Sequence, residues 1–337
     1  MTPLYDVSLE VTRWLQANYP QLESLMAVIS ALGRFEFYLA VVPLLYWCMH
    51  KQLGKELAYV LALTNMLNAM FKHFLRAPRP YWLEPELGLA TETTYGIPSG
   101  HMQTVTVFYL FLAVWVRRTS VWLAALLAIF LMGLSRVYLG MHFIHDTVAS
   151  LLLGLLILTG YFLWRHYFRE SFSNRIMGQR LLGVVLVPLV LLLLYAGVMF
   201  ALGAPDRSVP WSQQIPAVEW ASMEETSTAV GILLGLGIGF ILEATRVHFA
   251  VVGSWRQRAL RYLAGMLVTV AIWRGLGSLF PDDPLWLALP LRVFRYWLAG
   301  MWVAYYAPLA FVRTGLAQTS PEPDVKLTVA DGRFMRG

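Results

Sequence analysis

Three short stretches of the chain collect side chains whose joint chemistry is that of a phosphate-handling site. The first runs from Lys72 to Arg79-Pro80, the second is Pro98-Ser99-Gly100-His101, and the third runs from Ser135-Arg136 through His142 to Asp146. Together they supply three cations, two imidazoles, a carboxylate, a hydroxyl and a glycine. A phosphate monoester carries charge on its nonbridging oxygens, and phosphoryl transfer depends mostly on positioning and charge stabilisation. Arg79 and Arg136 can offer planar forks to those oxygens, and Lys72 a point charge. Lys72 and Arg79 are spaced to share a helical face, and Pro78 and Pro80 should end that helix near Arg79. Cations snorkelling at the end of a span would also account for this cluster, Arg76 in particular.

In the second stretch, Ser99 can cap the apolar helix that follows and Gly100 permits close backbone approach. The helix N-terminus favours an anion, and His101 would face the same pocket. In the third, His142 and Asp146 have the spacing that stacks two side chains on one helical face. A carboxylate can hold one imidazole nitrogen and leave the other as a nucleophile. Gly140 is available for the turn between helices. A polar pair locking two helices would explain His142 and Asp146. It would not explain why Arg79, His101 and Arg136 gather at the same membrane face. His145 lies on the flank of the helix opposite Asp146 and reads as a rim or structural residue.

The elements that must position these residues are membrane helices. With 337 residues, 58% hydrophobic and only 14% charged, the chain is far more apolar than a soluble domain. A span needs about 20 mostly apolar residues. Such runs occur near 30–49, 54–76, 101–117, 119–140, 142–165, 181–203, 226–245, 257–280 and 286–313. Residues 1–22 are expected to form an interfacial helix rather than a cleaved signal, since Asp6, Glu10 and Arg13 interrupt any apolar core. Residues 315–337 are expected to be a flexible tail. Cys48 has no partner for a disulfide.

Gly231, Gly235 and Gly239 repeat at a spacing that favours close helix packing in membranes, and no nucleotide-loop lysine follows them. Arg274, Arg292 and Arg295 lie inside the last two runs and need partners, with Glu224, Glu225 and Asp282 available. They read as helix glue, or as a second anion-binding surface. Basic residues follow the first, third, fifth and seventh runs (Lys51 and Lys55; Arg117 and Arg118; Arg165, Arg169, Arg175 and Arg180; Arg246, Arg256 and Arg258). By the positive-inside rule that side is cytoplasmic. All three chemical stretches then fall on the outer, periplasmic or lumenal, side.

Read together, the stretches resemble the signature of the type 2 phosphatidic acid phosphatase superfamily, which also includes the vanadium-dependent haloperoxidases and glucose-6-phosphatase. That signature is Lys, six residues, Arg-Pro; Pro-Ser-Gly-His; and Ser-Arg, five residues, His, three residues, Asp. Every position is filled, in order. Flanking text such as Arg79-Pro-Tyr-Trp and Tyr95-Gly-Ile-Pro-Ser-Gly-His is similar to the integral-membrane branch with extra C-terminal spans, the sphingosine-1-phosphate phosphatases among them.

The resemblance implies an all-α, polytopic membrane helical bundle of about nine transmembrane helices. A six-helix phosphatase core would occupy 23–205 and about three additional helices 206–314. It also implies roles. His142 would attack phosphorus, oriented by Asp146. His101 would protonate the departing alkoxide and then activate water. Lys72, Arg79, Ser99, Gly100 and Arg136 would hold the phosphate oxygens. No metal or other cofactor is expected, and no nucleic-acid partner.

The segment from Pro80 to Pro98 is too short for a lid domain, so a lipid headgroup could enter sideways past Tyr81 and Trp82, in the aromatic belt. A lipid phosphate is therefore the first expectation: phosphatidate, phosphatidylglycerol phosphate, a sphingoid phosphate, or a polyprenyl phosphate or diphosphate. A sugar-phosphate phosphatase, a lipid phosphotransferase and a non-catalytic lipid-phosphate carrier stand as alternatives.

Overall fold

The computed structural model describes residues 3–320. The apolar runs form helices because a backbone in hydrocarbon must satisfy its hydrogen bonds internally. In chain order these are α1 (Pro3–Asn18), α2 (Glu23–Ala31), α3 (Phe35–Leu44), α4 (Lys51–Leu75), α5 (Gly100–Val116), α6 (Thr119–Tyr138), α7 (Ile144–Tyr167), α8 (Met177–Leu202), α9 (Ile215–Leu242), α10 (Trp255–Val270), α11 (Leu285–Met301) and α12 (Ala307–Arg313). Short helical turns extend or join several of them. Phe249–Ala250 pairs antiparallel with Gln318–Thr319. The rest of the expected tail, from residue 321, lies outside the described residues.

The expected nine spans are not all reached. Among the described residues, five helical spans are long and apolar enough to cross a membrane: Thr119–Tyr138, Ile144–Tyr167, Met177–Leu202, Ser212–Val247 and Trp255–Leu279. A sixth appears when Pro20–Ala31 and Phe35–Met49, bent by 47°, count as one. The shortfall has physical causes. α4 carries Lys51, Lys55, Glu56 and Lys72, α5 has only 17 residues, and α11 carries Arg292 and Arg295.

One contiguous core joins α4, α5 and α7 to α9 and α12, with Trp47, Leu57, Phe111, Leu233 and Phe311 at its centre. The glycine stripe of α9 presses on α11. A methyl added at Gly235 would come within 2.3 Å of the Trp297 carbonyl oxygen, and one at Gly231 within 2.5 Å of that of Val293. Of the arginines near it, Arg292 takes Glu224 at 2.5 Å and donates to the Thr228 hydroxyl at 3.0 Å. Arg274 and Arg295 lie over the rings of Trp273 and Tyr296.

The two ends of the bundle differ in character. At one end the basic loops meet: Lys51 lies 2.9 Å from Glu243, Arg165 lies 3.1 Å from Glu56 and over the Trp115 ring, and Arg258 donates to the Cys48 carbonyl at 3.1 Å. At the other end lie the three chemical stretches. There α1 packs across the start of the third, its Thr12 hydroxyl donating to the Val137 carbonyl and Gln16 to the Tyr138 carbonyl.

Candidate active site

Lys72 sits in the last turn of α4, almost wholly buried, its Nζ donating to the Thr94 hydroxyl at 2.8 Å. Arg79 was expected on the same helical face, but the helix ends earlier. Arg76 takes a left-handed conformation (φ 46°), and the chain runs extended to Arg79. The turn, not helical periodicity, brings the two cations together. Arg79 is fully buried and locked by backbone carbonyls: Nε donates to Thr94 at 2.6 Å, Nη1 to Met141 at 3.0 Å and Nη2 to Tyr95 at 3.0 Å. A methyl at Gly96 would lie 2.2 Å from the Pro78 carbonyl oxygen, so the loop can return here only with glycine.

Ser99 caps α5, its hydroxyl accepting from the Met102 amide at 3.4 Å, while its own amide donates to the Ser150 hydroxyl at 2.5 Å. A methyl on Gly100 would lie 3.9 Å from Lys72 Nζ, which sets that residue beside the cations. His101, in the first turn, packs on Gly33 so closely that a methyl there would come within 2.6 Å of the ring. Gly33 lies in the break between α2 and α3, which therefore shapes the site.

Arg136 ends α6, buried, with Nη1 donating to the Ser30 hydroxyl at 2.7 Å. Gly140 turns the chain with φ +67°, and a methyl there would run into the Leu87 carbonyl oxygen. His142 was expected on the helix with Asp146. It lies in the turn before α7 instead, and Asp146 folds back as part of the cap, Oδ2 accepting from the Phe143 amide at 3.0 Å. The same oxygen is 3.5 Å from His142 Nδ1. The other ring nitrogen, Nε2, accepts from Arg79 Nη1 at 3.2 Å. His145 stacks on Phe143 and reaches the other Asp146 oxygen at 3.4 Å, beside the site.

A residue that spacing did not single out stands at the centre. Glu92, from the loop between the first two stretches, pairs with Arg79 Nη2 at 2.8 Å and with Arg136 Nη2, and lies 3.4 Å from His101 Nδ1 and 3.9 Å from His142 Nε2. Burial works to raise its carboxyl, but Arg136 and Arg79 outweigh that and, with His101 and His142, hold it well below the usual carboxylate range. Thr94 was missed too, though it serves both Lys72 and Arg79. The available signal was an acid within a short Thr-Glu-Thr-Thr run between two chemical stretches.

A cavity of about 670 Å³ opens from this cluster. Lys72, Glu92, Gly100 and His101 line its polar end. Its walls continue along α4 through Asn68, Asn65, Ala62 and Leu61 to Ala58, and across to Ile232, Leu236 and Val303 of the C-terminal helices. The span from Lys72 to Ala58 along α4 is about 21 Å.

Residues 54–170 match the PAP2 superfamily, and residues 227–319 match the PAP2 superfamily phosphatase, transmembrane extension. Glucose-6-phosphatase catalytic subunit 1 of Rattus norvegicus is 25% identical over 318 residues, covering 84% of this chain and 87% of that protein. Lipid phosphate phosphatase delta of Arabidopsis thaliana is 30% identical over 153 residues, covering 41% and 37%. A solved transmembrane PAP2 type phosphatidylglycerolphosphate phosphatase from Bacillus subtilis aligns with a TM-score of 0.44 at 22% identity, over 50% of this chain and 89% of that one.

Proposed function

Because the chain belongs to the PAP2 superfamily and is a membrane phosphatase, we propose that it hydrolyses a lipid phosphate monoester or diphosphate, without a metal, through a phosphohistidine at His142. The observation that carries this is the position of the Glu92 carboxylate: one anion within reach of Arg79, Arg136, His142 and His101 at once. A phosphoryl group at that point meets two guanidinium forks, with Lys72 behind them.

His142 Nε2 attacks phosphorus, and the N–P bond forms as the ester P–O bond breaks. His101 gives its proton to the departing alkoxide. Water then loses a proton to His101 and attacks the phosphohistidine, breaking the N–P bond and freeing orthophosphate. Asp146, 3.5 Å from Nδ1, orients the ring and stabilises charge that develops on it. The Ser99–Gly100 start of α5 adds the positive end of a helix dipole beside Lys72 and His101.

The cavity favours a lipid. It is mostly apolar, and a path of about 21 Å reaches most of the way through a hydrocarbon core of about 30 Å. A hexose needs a ring of hydrogen-bond partners close to the phosphate, not a long apolar slot. Sugar phosphate remains the second reading, favoured by the likeness to the rat glucose-6-phosphatase over 84% of the chain and by Asn65, Asn68, Glu224 and Thr228 near the polar end. The basic loops at the opposite end of the bundle support a site on the periplasmic or lumenal side.

The test is phosphate release by the purified protein from a panel of lipid and sugar phosphates in EDTA, with His142→Ala as control. Turnover of lipid phosphates that the control lacks is expected. Loss of wild-type turnover in EDTA would refute the metal-free scheme, lipid movement without phosphate release would indicate a carrier, and transfer to a lipid acceptor in place of water would indicate a phosphotransferase.

A further inference from the structure

The two forks that would grip a phosphoryl group are already occupied. Glu92 Oε2 holds Arg79 Nη2 at 2.8 Å and Oε1 holds Arg136 Nη2, while both candidate catalytic rings lie beside the same carboxylate. The forks themselves are pinned by other groups: Arg79 by the carbonyls of Thr94, Tyr95 and Met141, Arg136 by the Ser30 hydroxyl. These anchors do not involve Glu92.

Glu92 differs from its partners in having somewhere to go. Its side chain is 21% exposed, against 0% for Arg79 and 3% for Arg136, and it lines the 670 Å³ cavity. Its backbone is held separately, the carbonyl accepting from the Tyr81 hydroxyl at 2.6 Å and the amide donating to it at 3.1 Å. Rotation of the side chain into the cavity therefore needs no movement of the loop. Charge favours the exchange: with Glu225 3.7 Å from Lys72, the departure of Glu92 leaves Lys72, Arg79 and Arg136 with excess positive charge that a phosphate dianion would match. Carboxylate and dianion cannot share the forks without like-charge repulsion.

We propose that Glu92 is a displaceable carboxylate that occupies the phosphoryl position in the empty enzyme, is expelled by substrate, and returns to expel product orthophosphate. The proposal rests on the phosphatase reading above and adds a positioning residue to it. Glu92 offsets part of the charge of the buried cations between turnovers and sets how tightly phosphate is held. A plain structural counterion for the loop would behave differently, because its loss would loosen the cradle and weaken phosphate binding.

The experiment is competitive inhibition by orthophosphate and orthovanadate of wild type, Glu92→Gln and Glu92→Asp, with kcat and KM from one substrate. Glu92→Gln is expected to bind both anions about tenfold more tightly, the scale of one lost competing charge-assisted contact. KM should fall with it and kcat should fall as product release slows, while Glu92→Asp moves back toward wild type. Unchanged or weaker anion binding in Glu92→Gln overturns the proposal. If that happens while wild type hydrolyses substrate and His142→Ala does not, the phosphatase reading stands. A wild type that binds neither anion overturns both. Should Glu92→Gln fail to fold, the wild-type structure with orthovanadate decides: Glu92 off both arginines is expected, and vanadate bound with Glu92 still on both refutes the idea.

Discussion

Arg79 Nη1 lies 3.2 Å from Nε2 of His142. A guanidinium has only protons to offer, so Nε2 must accept, and the ring proton belongs on Nδ1, facing Asp146 at 3.5 Å. The unprotonated nitrogen is thereby the one turned toward the anion position. This single contact assigns the tautomer that a nucleophilic imidazole needs.

Asp146→Asn should then cost turnover more than binding. The amide can present its NH2 group to Nδ1 and reverse the tautomer, so kcat is expected to fall by about 10²–10⁴-fold with KM little changed. Steady-state kinetics on the purified variant, with thermal stability as a check on folding, measures it. An equal loss in KM alone would reassign Asp146 to structure.

Arg136→Lys and Arg79→Lys keep the charge and lose the fork. Each guanidinium reaches two or more partners at once, through Ser30 and Glu92 for Arg136 and through three carbonyls for Arg79. A lysine, with its three donors on one nitrogen, cannot span partners set that far apart. We expect kcat/KM to fall about 10–100-fold for Arg136→Lys, the scale of a lost charge-assisted hydrogen bond. Arg79→Lys should also lower thermal stability, because it leaves buried carbonyls unpaired.

Blocking the deep end of the cavity should sort substrates by length. Ala62 and Ala58 are buried on α4 and line it. Ala62→Phe is expected to raise KM for a long-chain lipid phosphate several-fold while leaving a short, water-soluble phosphate monoester unaffected. The check is the ratio of the two kcat/KM values; equal losses on both would remove the case for a chain-binding slot.

Glu92 gives a pH signature in stability. Its folded-state pKa is depressed, Arg136 and Arg79 overcoming the opposing effect of burial. Such a carboxylate contributes stability that is fully present above its unfolded value of about 4.3 and is lost as pH falls toward the folded value. Wild type should therefore lose thermal stability more steeply than Glu92→Gln between about pH 5 and pH 3. At neutral pH the variant should be the less stable of the two without phosphate and gain more when phosphate is added. Parallel pH curves for the two proteins would contradict this.

Gly235→Leu tests the join between the phosphatase half and its extension. Any Cβ at this position meets the Trp297 carbonyl oxygen at 2.3 Å. Separation of α9 from α11 is expected to cost about 1–3 kcal/mol, read as a lower melting temperature in detergent.

The sequence by itself named the polar side chains that gather and the membrane setting that holds them. Three stretches name the cations, imidazoles and carboxylate, because a charged group beside a bilayer is costly and stands out against apolar runs. The glycine stripe of α9 and the need of Arg292 for an acidic partner were legible for the same reason: periodicity and composition report what happens within one helix. Tertiary structure decided how the stretches meet. Arg79 and His142 were assigned to helix faces but stand in turns, since the chain breaks at Arg76 and caps itself with Asp146. Glu92, Thr94 and Gly33 join the site through the paths of a loop and a helix break, and the cavity is shared between helices far apart in the chain. Such contacts follow from long-range packing, which no local spacing encodes.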